Sequence, residues 1–179
     1  MTRVGKYRLY GWVLALAIFA VDQLVKWWVK GPLQLREKGV IELIPFFDLR
    51  WTQNFGVSLG MFEATSLEMR WMLVAVTALI ALVVTIWMMR EKALGDIMGL
   101  SLILGGALGN IRDRYNLGYV IDYADLHFGD FRPFLIFNIA DAAITIGVVI
   151  ILARAFLMRD KEVDGLMDGK VASATEKER

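Results

Sequence analysis

The sequence predicts an α-helical membrane protein with four transmembrane helices and a small extracytoplasmic β-strand platform. The membrane part is predicted by composition, because 57% of the 179 residues are hydrophobic and the mean hydropathy is +0.51. Both values are far too high for a soluble domain with one core. The platform is predicted by residues 47–52, Phe-Asp-Leu-Arg-Trp-Thr, which alternate apolar and polar side chains with the period of a half-buried strand.

Four apolar stretches approach the length of roughly 20 residues that is needed to cross a bilayer. They are Leu9–Val29, Trp71–Met89, Ile97–Ile111 and Phe134–Met158. The second stretch carries no charge, whereas the third is short and rich in glycine. We assign residues 1–160 to one membrane-embedded domain, with the outer platform at 31–69 and a polar, disordered cytoplasmic tail at 161–179.

The first stretch resembles a cleavable signal peptide, because basic residues precede an apolar run that contains Ala15-Leu-Ala17. We expect it to remain as a span, because the apolar character continues to Trp28 and Val29 with tryptophans at interfacial depth. Four spans place both termini on one side of the membrane. The N-terminal cluster of Arg3, Lys6 and Arg8 predicts that this side is the cytoplasm.

Composition excludes several kinds of chemistry. The chain has no cysteine and one histidine, His127, so thiol nucleophiles, disulfides and a zinc site of the usual ligands are not expected. The formal net charge of +1 gives no basic excess for binding nucleic acid. We expect no metal and no organic cofactor, and partners that are lipids or membrane-bound.

Asp122 and Asp141 are the strongest candidates for a functional site, because each lies among apolar residues. A carboxylate near hydrocarbon is costly and normally faces a bundle interior or a water-filled cavity. We expect both to reach one depth below the outer surface, Asp122 in a loop and Asp141 about two turns inside the fourth helix. Two carboxyls in one site can share a proton and activate water. Capping a helix, pairing with arginine, or moving ions or protons are the alternatives.

Other polar residues accompany these spans. Asp22 and Lys26 have i, i+4 spacing on the first helix, where an ion pair reduces the cost of burying either charge. Three asparagines that need hydrogen-bond partners adjoin glycine or an apolar span: Asn54, Asn110 and Asn138. Gly56-Val-Ser58-Leu-Gly60 matches the G-x-S-x-G pattern of a serine nucleophile. We expect no serine mechanism, because that pattern requires an α/β sheet with a base and an oxyanion hole, and the chain offers only His127 as an imidazole.

Five blocks in order resemble the lipoprotein signal peptidase (signal peptidase II) family of bacterial membrane aspartyl proteases. The blocks are Val21-Asp-Gln-Leu-Val-Lys26, Asn54-Phe-Gly-Val-Ser-Leu59, Gly105-Gly-Ala-Leu-Gly-Asn-Ile-Arg-Asp-Arg114, Val120-Ile-Asp-Tyr123 and Phe137-Asn-Ile-Ala-Asp141. The departures from the family pattern are mild: Phe55 is bulkier than the small residue often found there, and Leu59 stands where Phe is common.

The resemblance implies that Asp122 and Asp141 are the catalytic dyad. It also implies substrate-binding or supporting roles for Asp22, Lys26, Asn54, Asn110, Arg114 and Asn138. The implied substrate is a prolipoprotein carrying diacylglycerol, cleaved just before its modified cysteine. The resemblance further implies a flexible loop over the site and a place in the bacterial inner membrane, and we expect a monomer. A small transporter or channel is the competing function, although the chain lacks the internal repeat that many transporters show.

Overall fold

The computed structural model describes residues 1–57, 62–63 and 67–157. Ser58, most of the loop that was expected to cover the site, and the tail at 161–179 lie outside the described residues. The helices in the described part are α1 (Arg3–Lys30), α2 (Leu35–Lys38), α3 (Leu67–Arg90), α4 (Leu94–Leu117) and α5 (Ile139–Leu157). The strands there are β1 (Val40–Ile44), β2 (Phe47–Asn54), β3 (Gly56–Val57), β4 (Phe62–Glu63) and β5 (Val120–Leu126).

The four long helices α1, α3, α4 and α5 are each long and apolar enough to cross a membrane, which confirms the predicted four-span architecture. Several boundaries differ from the predicted ones, and two of these differences lie beside the site. Helix α4 continues beyond Ile111 to Leu117, because charged residues of its last turns are accommodated inside the protein, as Asp113 is. Helix α5 begins at Ile139 rather than at Phe134, because Phe137 forms a bridge with Ala124 and so remains extended.

Helix α4 lies at the centre of the fold, and its small residues explain why. A Cβ atom added at Gly105 would lie 2.6 Å from the backbone oxygen of Ala15 in α1, and one added at Gly106 would overlap the backbone oxygen of Ala140 in α5. Glycine therefore permits close approach of α4 to both neighbours. Helix α3 packs on α4 through apolar side chains such as Met88. The glycines that weaken the hydropathy of the third stretch thus mark the central helix.

The platform contains an antiparallel sheet in the order β1-β2-β5, which confirms the strand predicted at 47–52. Gly118 ends α4 in the left-handed conformation, with φ 88°, and turns the chain directly into β5. In the pairing of β2 with β5, Thr52 lies opposite Asp122. Asp122 is therefore a strand residue and not part of a loop, which corrects the expectation from sequence.

A second apolar cluster attaches the sheet to the end of the helix bundle that includes the last turn of α1. Buried members of this cluster are Val29, Leu35, Ile121, Tyr123 and Ala124. Val29 belongs to the last turn of α1 and Leu35 to α2, so the platform packs against the end of the first span. This packing fixes β5, and with it Asp122, above the start of α5.

Candidate active site

Asp122 lies in the middle of β5 with only 2% of its surface exposed. Its carboxyl oxygens accept hydrogen bonds from Asn54 Nδ2 at 3.0 Å and from Asn138 Nδ2 at 2.6 Å. Burial first, and then the negative charge of Asp141, raise the pKa of Asp122 to about 7, although the two amides and the charge of Lys26 act in the opposite direction. Asp122 therefore keeps a proton at pH values where an ordinary aspartate has lost it.

Asp141 lies in the first turn of α5, not two turns inside the helix as its sequence position suggested. Asn138 precedes this helix, and its Oδ1 accepts a hydrogen bond from the Asp141 backbone N–H at 2.9 Å. In return Asp141 Oδ2 accepts from the Asn138 backbone N–H at 3.3 Å. This reciprocal arrangement is a capping box, and the positive end of the helix dipole favours a carboxylate there.

Asn138 joins the two aspartates, because its side chain contacts both. Its amide oxygen accepts from the backbone N–H of Asp141 while its amide nitrogen donates to the carboxyl of Asp122, so one buried amide connects the two residues. The structure thus brings together two carboxyls that are 19 positions apart in the sequence. Asn54, the last residue of β2, supports Asp122 from the other side, and its own oxygen accepts from the Gly56 backbone N–H at 3.2 Å.

Beneath Asp122 and Asp141 lies a buried polar network that includes Asn110, Lys26 and Asp22. Asn110 Nδ2 donates to Asp141 Oδ1 at 2.7 Å, and Asn110 Oδ1 accepts from Lys26 Nζ at 3.2 Å. Lys26 also pairs with Asp22 Oδ2 at 2.9 Å, which confirms the i, i+4 ion pair predicted from sequence. All three side chains are buried, so the polar network continues from the dyad into the helix bundle.

Two members of this network were not among the predicted site residues. Asp113 pairs with Lys26 at 2.9 Å, and Gln23 Nε2 donates to both Asp22 at 3.0 Å and Asp113 at 3.1 Å. The spacing of Asp113 three residues after Asn110 places both on one helix face and could have identified it. Gln23 gave no such signal, because a glutamine beside an aspartate is common at a helix surface.

Arg114 was predicted to support the site, and the structure places it half-buried near the end of α4. The charges of Asp141, Asp122 and Asp113 all act on its guanidinium. Its Nε atom is buried and has no hydrogen-bond partner among the described residues. Arg114 therefore supplies positive charge to the dyad region, and Arg70 holds its backbone by donating to the Arg114 carbonyl oxygen at 2.8 Å.

Two structural roles were considered for the aspartates, capping a helix and pairing with arginine, and the structure contains the first. Asp141 does cap a helix, as described above. Three arginines lie near the aspartates in sequence, Arg112, Arg114 and Arg132. Two of them are engaged elsewhere, because Arg132 Nε lies 3.3 Å from Asp125 and Arg112 donates to Gln23. Capping therefore accounts for one oxygen of Asp141 but not for the contact of the same asparagine with Asp122.

His127, the single imidazole of the chain, lies on the platform. Its Nε2 is 3.0 Å from Asp48 Oδ2, and its backbone N–H donates to the Phe46 carbonyl oxygen. Asp48 is near the opposite end of β2 from Asn54, so this histidine is placed away from the dyad. Within the described ranges, no group of three or more His, Asp and Glu side chains has the geometry to hold a metal ion.

Comparison with known proteins agrees with these features. Residues 14–157 match the family model described as Signal peptidase (SPase) II. The lipoprotein signal peptidase of Sphingopyxis alaskensis is 56% identical over 155 residues, which cover 87% of this chain and 90% of the relative. That of Rhizorhabdus wittichii is 54% identical over 157 residues, covering 88% and 91% of the two chains.

A solved bacterial membrane enzyme has the same fold, with a TM-score of 0.72 and 27% identity over 85% of this chain and 89% of its own. These matches do not support the transporter alternative. The family model covers all four membrane-spanning helices in whole or in large part, together with β5 and the residues around it. The chain therefore belongs to the signal peptidase II family, the lipoprotein signal peptidases that remove signal peptides from prolipoproteins.

Proposed function

We propose that Asp122 and Asp141 form the water-activating dyad of an aspartic-type endopeptidase. The substrate in this proposal is a diacylglyceryl-modified prolipoprotein, and the bond hydrolysed is the one just before the modified cysteine. The observation that carries the proposal is the contact of one buried amide, that of Asn138, with both aspartates. A helix cap alone would not require the Asp122 contact.

The chemistry follows from the different surroundings of the two carboxyls. Asp122 is almost fully buried and its pKa is raised to about 7, whereas Asp141 is half-exposed at a helix N-terminus. We assign the shared proton to Asp122 and the negative charge to Asp141. Two neighbouring carboxyls with different affinities for one proton divide the roles of acid and base.

Hydrolysis then proceeds without a covalent intermediate. Asp141 accepts a proton from water while the water oxygen bonds to the carbonyl carbon, and Asp122 gives its proton to the carbonyl oxygen. A gem-diol results. As the C–N bond breaks, the proton on Asp141 moves to the leaving nitrogen and a hydroxyl proton returns to Asp122. One water is consumed, and both aspartates regain their initial states.

The position of the dyad suits a lipid-bearing substrate. Asp122 is on the platform and Asp141 is in the first turn of a spanning helix, so both lie where the bundle meets the sheet. We propose that this end faces the extracytoplasmic side of the inner membrane and that both termini are cytoplasmic. The acyl chains and signal helix of the substrate would stay in the bilayer while the scissile bond meets water. We propose that the enzyme acts as a monomer.

The test uses the purified protein in detergent with a diacylglyceryl-modified prolipoprotein and its non-lipidated form. We expect signal-peptide release from the first substrate only. Asp122→Asn and Asp141→Asn should each abolish release while the protein remains folded, because an amide keeps the volume but cannot exchange the proton. Ser58→Ala is the matched control and should retain activity. Substantial cleavage by either Asn variant would disprove the dyad.

A further inference from the structure

A buried ammonium lies at the centre of the network beneath the dyad. Lys26 Nζ is 2.9 Å from Asp22 Oδ2, 2.9 Å from Asp113 Oδ2 and 3.2 Å from Asn110 Oδ1. The exposed fraction is 2% for Lys26, and Asp22 and Asp113 are likewise buried. Burying two carboxylates around one ammonium is costly, because desolvation of three charges opposes their attraction. Such a cluster is poor evidence for stability alone, so its other contacts are informative.

Each of the two carboxylates also accepts a backbone hydrogen bond next to a member of the dyad. Asp22 Oδ1 accepts from the Ala140 N–H at 3.1 Å, and Ala140 is the residue before Asp141. Asp113 Oδ2 accepts from the Ile121 N–H at 3.2 Å, and Ile121 is the residue before Asp122. The same ammonium therefore connects the two backbone segments that carry the aspartates.

Asn110 adds a direct connection from Lys26 to the dyad. Its oxygen faces the ammonium of Lys26, so its nitrogen necessarily faces Asp141, to which it donates at 2.7 Å. An ammonium has only donors, and it cannot tolerate the reverse orientation of the amide. Lys26, together with Asn138 Nδ2, which donates to the same oxygen at 3.3 Å, thus determines which end of Asn110 meets the carboxyl of Asp141.

The carboxylate of Asp22 packs closely against the backbone of α4 at Gly109. A Cβ atom added at Gly109 would lie 2.5 Å from Asp22 Oδ2, so only glycine lets α4 approach that carboxylate. Gln23 reinforces the contact by donating to Asp22, to Asp113 and to the Gly109 carbonyl oxygen at 3.2 Å. The position of Asp22 is thus defined by backbone packing as well as by charge.

We propose that Lys26 is a positioning residue that fixes the two aspartates relative to each other through Asp22, Asp113 and Asn110. We call these four side chains the Lys26 clamp. The clamp acts through the residues before Asp122 and Asp141 and through the Asn110 amide, and it does not touch substrate. This inference rests on the proposed dyad.

The principal test replaces Lys26 by methionine, which keeps the length of the side chain and removes the charge. A displacement of reacting groups by about 1 Å can lower the rate about 100-fold, and we expect a loss of kcat of that order with KM changed by less than about twofold. The charged groups acting on Asp122 are Asp141, Lys26 and Arg114. Because the charge of Lys26 lowers the pKa of Asp122, Lys26→Met should also move the basic limb of the pH profile upward.

The matched control removes a different ion pair between spanning helices. Arg154 Nε in α5 lies 2.8 Å from Asp96 Oδ1 in the first turn of α4, at the opposite end of both helices from the dyad. Arg154→Met should lower the thermal unfolding temperature while leaving kcat and the pH profile of the folded enzyme unchanged. A purely structural role for Lys26 would produce this same result.

Gly109→Ala provides a second variant that keeps every charge and displaces only Asp22. We expect it to lower kcat in the same way as Lys26→Met, and it decides the question if Lys26→Met does not yield monodisperse protein. Wild-type kcat and pH profile in folded Gly109→Ala would overturn the clamp, as would the same result in folded Lys26→Met.

Asp122→Asn and Asp141→Asn are assayed alongside. Activity in either of these would reject the proposed dyad itself, whereas inactive Asn variants with fully active clamp variants would reject only the clamp.

Discussion

Asn138 performs two tasks that a single substitution can separate. Its Oδ1 caps α5 by accepting from the Asp141 backbone N–H, and its Nδ2 donates to Asp122 at 2.6 Å. Serine retains an oxygen at the capping position but has no donor that reaches Asp122. Asn138→Ser should therefore keep the helix cap and lose the contact with the dyad, whereas Asn138→Ala should lose both.

The expected losses of stability and of kcat follow from the two hydrogen bonds of the Asn138 side chain, the helix cap and the bond to Asp122. Serine and asparagine are about equally good caps, while alanine at a cap costs about 1 kcal/mol of stability. The bond to Asp122 involves a group that is charged in one state of the reaction, and such bonds contribute about 1.5–3 kcal/mol. If that contribution is realised in the transition state, both variants should lose between about 10-fold and 150-fold in kcat, since about 1.4 kcal/mol corresponds to tenfold.

The assay measures kcat and KM on a diacylglyceryl-modified prolipoprotein together with the thermal unfolding temperature of each variant. Equal loss of kcat in Asn138→Ser and Asn138→Ala, with a lower unfolding temperature only for Asn138→Ala, is the expected result. If Asn138→Ser keeps wild-type kcat, the contact with Asp122 has no role in catalysis. If both variants lose activity only in proportion to their unfolded fraction, the asparagine is merely a cap.

Two further predictions concern pH and helix packing. The pKa of Asp122 in the free enzyme is raised to about 7, so the group is protonated below that pH and loses its proton above it. We therefore expect kcat/KM to fall as pH rises through about 7, and a kcat/KM that stays constant up to about pH 9 would contradict the acid role. Gly106→Ala should lower the thermal unfolding temperature, since the new Cβ would overlap the Ala140 backbone oxygen and lie 2.8 Å from Ile144 Cγ1, a crowding worth about 1–3 kcal/mol. Gly5→Ala near the N-terminus is its control, and equal temperatures for the two variants would refute the close packing of α4 on α5.

Hydropathy predicted the number of spans but not the boundaries at the site. The third stretch looked short because its hydropathy ends where Arg112 and Asp113 begin, yet α4 continues through both. The fold removes Asp113 from lipid by pairing it with Lys26, a contact 87 residues away in sequence that no local pattern reveals. Likewise, apolar residues before α5 look helical, although Phe137 is held extended by its bridge to Ala124.

The sequence predicted which residues form the candidate site better than it predicted how they are arranged. Asp122 and Asp141 stood out because each is an acidic residue in an apolar run, and the order of the motif blocks supplied the rest. Both lie where the bundle meets the platform, and their depth in the membrane stays a prediction. Asp122 lies on a strand because it pairs with Thr52. This contact is long-range in sequence, so it becomes visible only in the folded chain.

The balance of charge at this site connects the stability of the fold with the proposed chemistry. Six ionisable side chains converge there: Asp22, Lys26, Asp113, Arg114, Asp122 and Asp141. Four are acids and two are bases, so full ionisation would leave two uncompensated negative charges beside the membrane. One proton retained by the dyad halves that excess, and burial of Asp122 is what retains it. Water activation by paired carboxyls requires the same single proton.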